Sequence, residues 1–282
     1  MLDFVYYPVS AVLWLWHTGF ATVLGDASGL AWVLAIVFLV VTVRVALIRP
    51  FLAQVRFSRT MAVLQPQLRE LQTRFADDRE KLLAESRKLQ QQHNFSVLSG
   101  CLPILAQMLL FLGLFHVLRS FDRTGAGSSL PFLGSSAPMT AAENAATGNY
   151  VFAPGQVQSF LQAKLFAAPL PSTLATSGDS LTAVALVAIP LVLIAAVATH
   201  FTARASIARQ TETTPQTRVI NWMTLWVFPL GTVVAGTVMP LGILVYFATS
   251  NTWTYVQQHV VHRRLQAPAV AAQAAPTDRK RE

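Results

Sequence analysis

The chain has 282 residues, 53% of them hydrophobic and 12% charged, with a net charge of +8 and a mean hydropathy of +0.47. Soluble domains carry about 25% charged residues, so these proportions exclude an ordinary soluble fold and describe a polytopic membrane protein. One cysteine, Cys101, excludes an intramolecular disulfide and any Cys-based metal site, and the basic balance implies no nucleic-acid partner until topology is assigned.

Residues 1–29 contain no Lys or Arg, and neither a positive leader nor a small-residue cleavage site marks a secretory signal. Phe4–Leu24 is apolar and aromatic, with Tyr6, Tyr7, Trp14, Trp16 and Phe20. Trp and Tyr prefer the headgroup level, and Pro8 and His17 disfavour a span. Val9–Leu24 is therefore expected to lie as a helix in the outer interface, with a true span as the competing reading. Gly25-Asp26-Ala27-Ser28-Gly29 then breaks the chain.

Five runs have the length and apolarity to cross about 30 Å of hydrocarbon: Leu30–Ile48, Leu102–Leu118, Leu181–His200, Val219–Thr237 and Val238–Gln257. Gly236 and Pro240-x-Gly242 mark a tight turn between the last two. The predicted fold is all-α, with residues 30–265 as a five-span core. Arg44 lies four residues inside the first run, roughly 6 Å from its end. A charge at that depth costs about 2.5–3.5 kcal/mol at the bilayer centre and so faces protein, water or a partner, unless it snorkels to the interface.

Seventeen Lys and Arg residues fall in segments 49–100, 201–218 and the tail after 258, against Arg119, Arg123 and Lys164 on the other side. The positive-inside rule then predicts an amino terminus outside and a carboxyl terminus in the cytoplasm. The cytoplasmic segment 51–93 shows helical spacing over Phe51–Phe75 and Arg79–His93, which predicts a two-helix hairpin. Pro66 is expected to bend or restart its first helix, and Asp77 to cap the second with Glu80. Its basic faces suit anionic lipid or ribosomal RNA, although its apolar stripe is sufficiently explained by closing the hairpin. The outer segment 121–180 is rich in Gly, Ser, Ala and Pro and is expected to be mostly irregular, with a short interfacial helix over Gln156–Phe166. Residues 266–282 read as a disordered basic tail.

No catalytic set emerges. The six histidines are scattered, no Asp or Glu falls in the five runs, and no phosphate-binding glycine loop is present. Neither an enzyme nor a metal or other cofactor is expected. The uncharged polar groups of the runs are Thr42, Gln107, Thr199, Asn221, Thr224, Thr249, Ser250 and Asn251; helix–helix hydrogen bonding is their ordinary role. Should several converge with Arg44, they would form a wet cavity in the inner leaflet.

Three stretches, in this order and spacing, carry a resemblance: Val43-Arg44-x5-Pro50 with Leu64-Gln65-Pro66 and Asp77-Asp78; Gly100-Cys101-x-Pro103-x3-Gln107-Met108-x2-Phe111; and Pro240-x-Gly242-x3-Tyr246-x3-Ser250-Asn251-x5-Gln257-Gln258. Over roughly residues 5–265 the chain resembles the YidC/Oxa-type membrane protein insertases, in a compact form without a large outer domain. The resemblance implies five spans around a hydrophilic groove open to the cytoplasm, with Arg44 in the groove. Gln107, Met108, Phe111 and Tyr246 would line or support the substrate path. It also implies nascent membrane proteins as substrates and a bacterial plasma-membrane location. The implied partners are the ribosome (through Arg263 and Arg264), membrane lipids, a Sec translocon and the signal recognition particle receptor. The alternative is a small-solute transporter or channel with a central polar site.

Overall fold

The computed structural model describes residues 2–76, 78–92, 97–124, 139–210 and 215–274. The described residues are helical apart from one two-residue hairpin and short turns. They form two compact units, Met1–Asp26 with Phe38–Ser159, and Ala27–Val37 with Phe160–Glu282.

In the first unit, helix α1 covers Asp3–Leu24. It starts six residues before the expected Val9 and continues through Pro8. Its buried residues Val9, Ser10, Leu13, His17 and Ala21 recur every three or four positions, so they share one face. That face packs on α5 (Val97–Arg119), where Gly113 permits the approach: a Cβ there would sit 2.8 Å from Val5 Cγ1. Both polar groups on this face make a hydrogen bond. His17 Nε2 donates to Asp26 O at 3.1 Å, and Ser10 Oγ accepts from the Val151 N–H at 3.4 Å.

Helix α2 (Gly29–Ala46) opens in the second unit and ends in the first, two residues short of the predicted end at Ile48. Only Leu47 separates it from α3 (Ile48–Arg74), and hydrogen bonds from Leu47 N–H to Val43 O and Phe51 N–H to Leu47 O carry the helical path across. Pro66 neither stops nor restarts α3. It lies on the exposed side, where water can take up the carbonyl that proline leaves without a donor. Helix α4 (Arg79–Gln92) completes the expected hairpin, and its cap is Asp78, whose Oδ1 accepts from Lys81 N–H at 3.1 Å. Asp77 and His93 lie outside the described residues.

The described part of segment 121–180 is more ordered than its composition predicts. Thr140 and Glu143 form a reciprocal capping box on α6 (Ala141–Ala146), and α7 occupies Pro154–Gln162 in place of the expected Gln156–Phe166. In the second unit, β1 (Lys164–Leu165) pairs antiparallel with β2 (Ala168–Pro169) around a tip at Phe166 and Ala167, both with positive φ.

Helix α8 (Leu181–Ile207) is the centre of the second unit, contacting both α10 (Phe228–Gly236) and α11 (Leu241–Ala274). At Gly236 a Cβ would lie 2.4 Å from Val192 Cγ2, so glycine sets the α8–α10 spacing. The expected turn after Gly236 is present, and Leu241 and Gly242 N–H bond back to Ser172 and Leu170 O. The fourth apolar run is not one regular helix: α9 (Pro215–Trp222) passes through a π-helical turn, Met223–Val227, into α10.

Among the described residues, three helical stretches are long and apolar enough to cross a membrane: Gly29–Ala46, Gly178–Ile207 and Thr217–Gly236. Leu105–Arg119, the part of α5 whose side chains are described, is also apolar. The protein is therefore an all-α membrane protein. Helix α11 falls short of that apolarity because polar residues from Thr249 to Gln258 interrupt it.

Candidate functional site

Arg44 sits in the last turn of α2, two residues before its end at Ala46. The residue is half-buried and already engaged with neighbouring groups. In the same unit, Trp16 Nε1 on α1 donates to Thr42 Oγ1 at 2.9 Å, while Thr42 donates to its own helix at Phe38 O. Trp16 and Phe20 also pack on Phe38, so α1 braces the segment that carries Arg44.

Gln107, Met108 and Phe111 lie on α5, in the same unit as Arg44. Gln107 and Phe111 are half-buried, and Met108 is 50% exposed, off the face that packs on α1. Phe111 tilts against Phe115 with centroids 5.8 Å apart. Tyr246 belongs to the second unit and is only 2% exposed, with its ring edge-on to Phe247. Arg263 and Arg264 fall on the backbone of α11, but their side chains, like residues 275–282, lie outside the described residues.

The uncharged polar groups divide into two kinds. Thr199 on α8 donates to Asn251 Oδ1 on α11 at 3.1 Å, and Asn221 on α9 exchanges two hydrogen bonds with Gln210 after α8. These are helix-to-helix ties in the second unit. Thr224 and Thr249 instead bond Ile220 O and Val245 O on their own helices, as Thr commonly does. Among the described residues no group of three or more His, Cys, Asp or Glu side chains is placed to hold a metal ion.

Two further clusters were not singled out from sequence. At the C-terminal end of α5, Asn149 Nδ2 donates to Val117 O and Asn144 Nδ2 to Phe121 O, giving donors to chain left open at the helix end. Arg123 holds the same corner: Nε donates to Asn144 Oδ1, Nη1 to Gly148 O and Nη2 to Thr147 O. Burial lowers the pKa of this guanidinium from its ordinary value. Beside it, the Tyr150 hydroxyl meets His116 Nε2 at 2.7 Å, and Tyr6 stacks on the same imidazole with centroids 4.1 Å apart. Burial, reinforced by the neighbouring Tyr6, Asp3 and Tyr7, pushes the Tyr150 phenol up to about 12. The second cluster joins His200 to the π-helical turn. Pro229, in the middle of an apolar run, was the signal for it.

Residues 23–268 match the family described as 60Kd inner membrane protein. The chain is also similar to proteins named membrane protein insertase YidC. It is 46% identical to one from Mycolicibacterium paratuberculosis over 92% of this chain and 75% of that protein. It is 45% identical to one from Mycobacterium tuberculosis strain H37Rv over 92% and 72%. A relative from Mycobacterium leprae is 43% identical over 99% of this chain and 74% of its own length.

Proposed function

The chain belongs to the 60Kd inner membrane protein family of YidC/Oxa-type insertases, and on that premise we propose that it inserts new membrane proteins through a hydrated groove charged by Arg44. It is a membrane protein insertase, a multi-pass protein of the cell membrane, and its substrates are nascent membrane proteins. The comparisons give no support to a small-solute transporter.

Energetics define what such a protein must do. An apolar helix of about 20 residues gains roughly 6–12 kcal/mol on entering hydrocarbon, at about 0.3–0.6 kcal/mol per Leu, Ile, Phe or Val. One acidic residue held at the centre of the core costs about 2.5–3.5 kcal/mol. The final state is therefore favourable, and the obstacle is the barrier met while a polar tail crosses. A groove wet to half depth shortens the low-dielectric path, and a fixed cation inside it offsets part of the tail's lost hydration. Arg44 supplies that cation; its guanidinium is more weakly hydrated than an ammonium and tolerates partial burial.

The observation that carries this reading is the position of Arg44, half-buried at the end of the apolar helix Gly29–Ala46 rather than in an exposed loop. Gln107 and Phe111 serve as groove wall, Met108 as an adaptable contact for varied helices, and the buried Tyr246 as support. Five spans surround the groove in this account, with the amino terminus outside, α1 in the outer interface, and the hairpin 51–93 and the tail in the cytoplasm. Arg263, Arg264 and the terminal basic residues attract the ribosome, and a Sec translocon or the signal recognition particle receptor can act beside the chain.

Purified protein in liposomes tests it. Vesicles containing the chain should integrate a small single-span protein, as protease protection shows, without leaking entrapped small solutes. Solute flux without integration would overturn the proposal.

A further inference from the structure

In a regular α-helix each N–H bonds the carbonyl four residues earlier, so residue 229 would serve Leu225. Position 229 is proline, which has no N–H. The backbone widens just before it: across Met223–Val227 the bonding becomes π-helical, and Phe228 N–H reaches Met223 O. Leu225 O takes its donor from another helix. His200 on α8 places Nδ1 3.0 Å away, and because a carbonyl only accepts, Nδ1 is the donor. The Trp226 ring tilts against the same imidazole with centroids 5.2 Å apart.

The stretch that contains this turn is also the least packed of the three apolar ones. Only 11% of Thr217–Gly236 is buried, against 39% for each of the other two. A helix with few packing contacts and a break in its ladder bends at lower cost than its neighbours. Inserting a new helix requires some element to yield sideways toward lipid.

We propose that His200 is a positioning residue for insertion: it supplies the donor that Pro229 lacks and so sets the bend of residues 215–236 at Met223–Val227. Holding the bond keeps α9 aligned with α10, and releasing it lets the stretch flex while a substrate passes. This rests on the insertase function assigned above. The physical part, a proline-dependent role for one imidazole, is separable from that function.

A double-mutant cycle tests it: wild type, His200→Ala, Pro229→Ala and the double variant, all carrying Cys101→Ser. Spin labels at Val219 and Val234, both exposed, report the bend as a distance distribution, and insertion is followed in the same liposomes. His200→Ala should broaden the distribution and slow insertion by about 3- to 15-fold, the range one interhelical hydrogen bond commands in a bilayer. In the Pro229→Ala background the backbone regains its own donor, and His200→Ala should then change either readout by less than about twofold. His200→Gln, which keeps a donor, should lie nearer wild type than His200→Ala. If His200→Ala has the same effect whether or not Pro229 is replaced, or no effect at all, the proposal is overturned. If even the wild type fails to insert while the distance cycle behaves as expected, the insertase function fails instead, and the role of His200 in the bend stands.

Discussion

Replacing Arg123 with Ala should loosen the corner beyond the C-terminal end of α5 without touching the spans. The guanidinium makes three hydrogen bonds at 2.9, 3.3 and 3.0 Å to Asn144, Gly148 and Thr147. Each bond to a charged group contributes about 1.5–3 kcal/mol in favourable settings, but this side chain is only half-buried and one contact is long. A net loss of about 2–4 kcal/mol is expected, much of it the cost of two carbonyls left without donors. Arg123→Lys should recover less than half, because an ammonium cannot span the fork that serves three acceptors. Thermal unfolding in detergent gives the total, and hydrogen exchange at residues 140–152 gives its location. Exchange should rise by about 1.5 to 3 orders of magnitude there, as 1.4 kcal/mol per tenfold implies, and remain unchanged in α8. A loss under about 0.5 kcal/mol, or exchange spread evenly over the chain, would refute the assignment of Arg123 as the corner's clamp.

Gly236→Val should force α8 and α10 apart, since even a Cβ meets Val192 at 2.4 Å; a cost of about 1–3 kcal/mol is expected, largely relieved by adding Val192→Ala. An absorbance titration should show a phenol ionising near 12, and Tyr150→Phe should remove that step. With its native pKa raised, Tyr150 contributes stability in full below pH 10 and loses it as pH climbs from 10 to 12, so Tyr150→Phe should flatten the alkaline fall in melting temperature. Deleting residues 51–93 should impair insertion while leaving the remaining helices folded by circular dichroism. Truncation after Leu265 should lower ribosome affinity and its salt slope; an unchanged slope would leave the last three basic residues with a topological role alone.

Helices recur where apolar runs are long, so α2 was legible to within two residues and α8 at its start, and helical spacing made the two hairpin helices legible. Hydropathy is averaged over many residues and survives small errors. What it could not show was where single polar groups find partners. Asn144 and Asn149 read as loop residues in a Gly- and Ala-rich stretch, yet they give donors to chain at the end of α5. Their value lies in contacts 23 and 32 residues away in sequence, which composition does not record. Asp78 caps α4 through Lys81 N–H, a role that neither its spacing from Glu80 nor composition marked. His200 and Pro229 were each visible, but their link through Leu225 O depends on two helices packing side by side. Arg44 was legible as an anomaly from the first reading, because a charge in an apolar run needs a reason wherever it lies.

That charge is the most direct test of the account. Insertion of one single-span substrate should be measured with its short outer tail carrying either Asp or Asn, by wild type, Arg44→Ala and Arg44→Lys. A charge pair at about 4 Å is worth roughly 1 kcal/mol in bulk water and about 4 kcal/mol at the dielectric typical near protein. Arg44→Ala should therefore slow the Asp-tailed substrate at least fivefold and spare the Asn-tailed one. Arg44→Lys should retain most of the activity, with melting temperatures little changed throughout. Equal damage to both substrates, with Arg44→Lys as harmful as Arg44→Ala and a large drop in melting temperature, would make Arg44 a structural clamp at the end of α2. The groove would then have lost its working charge.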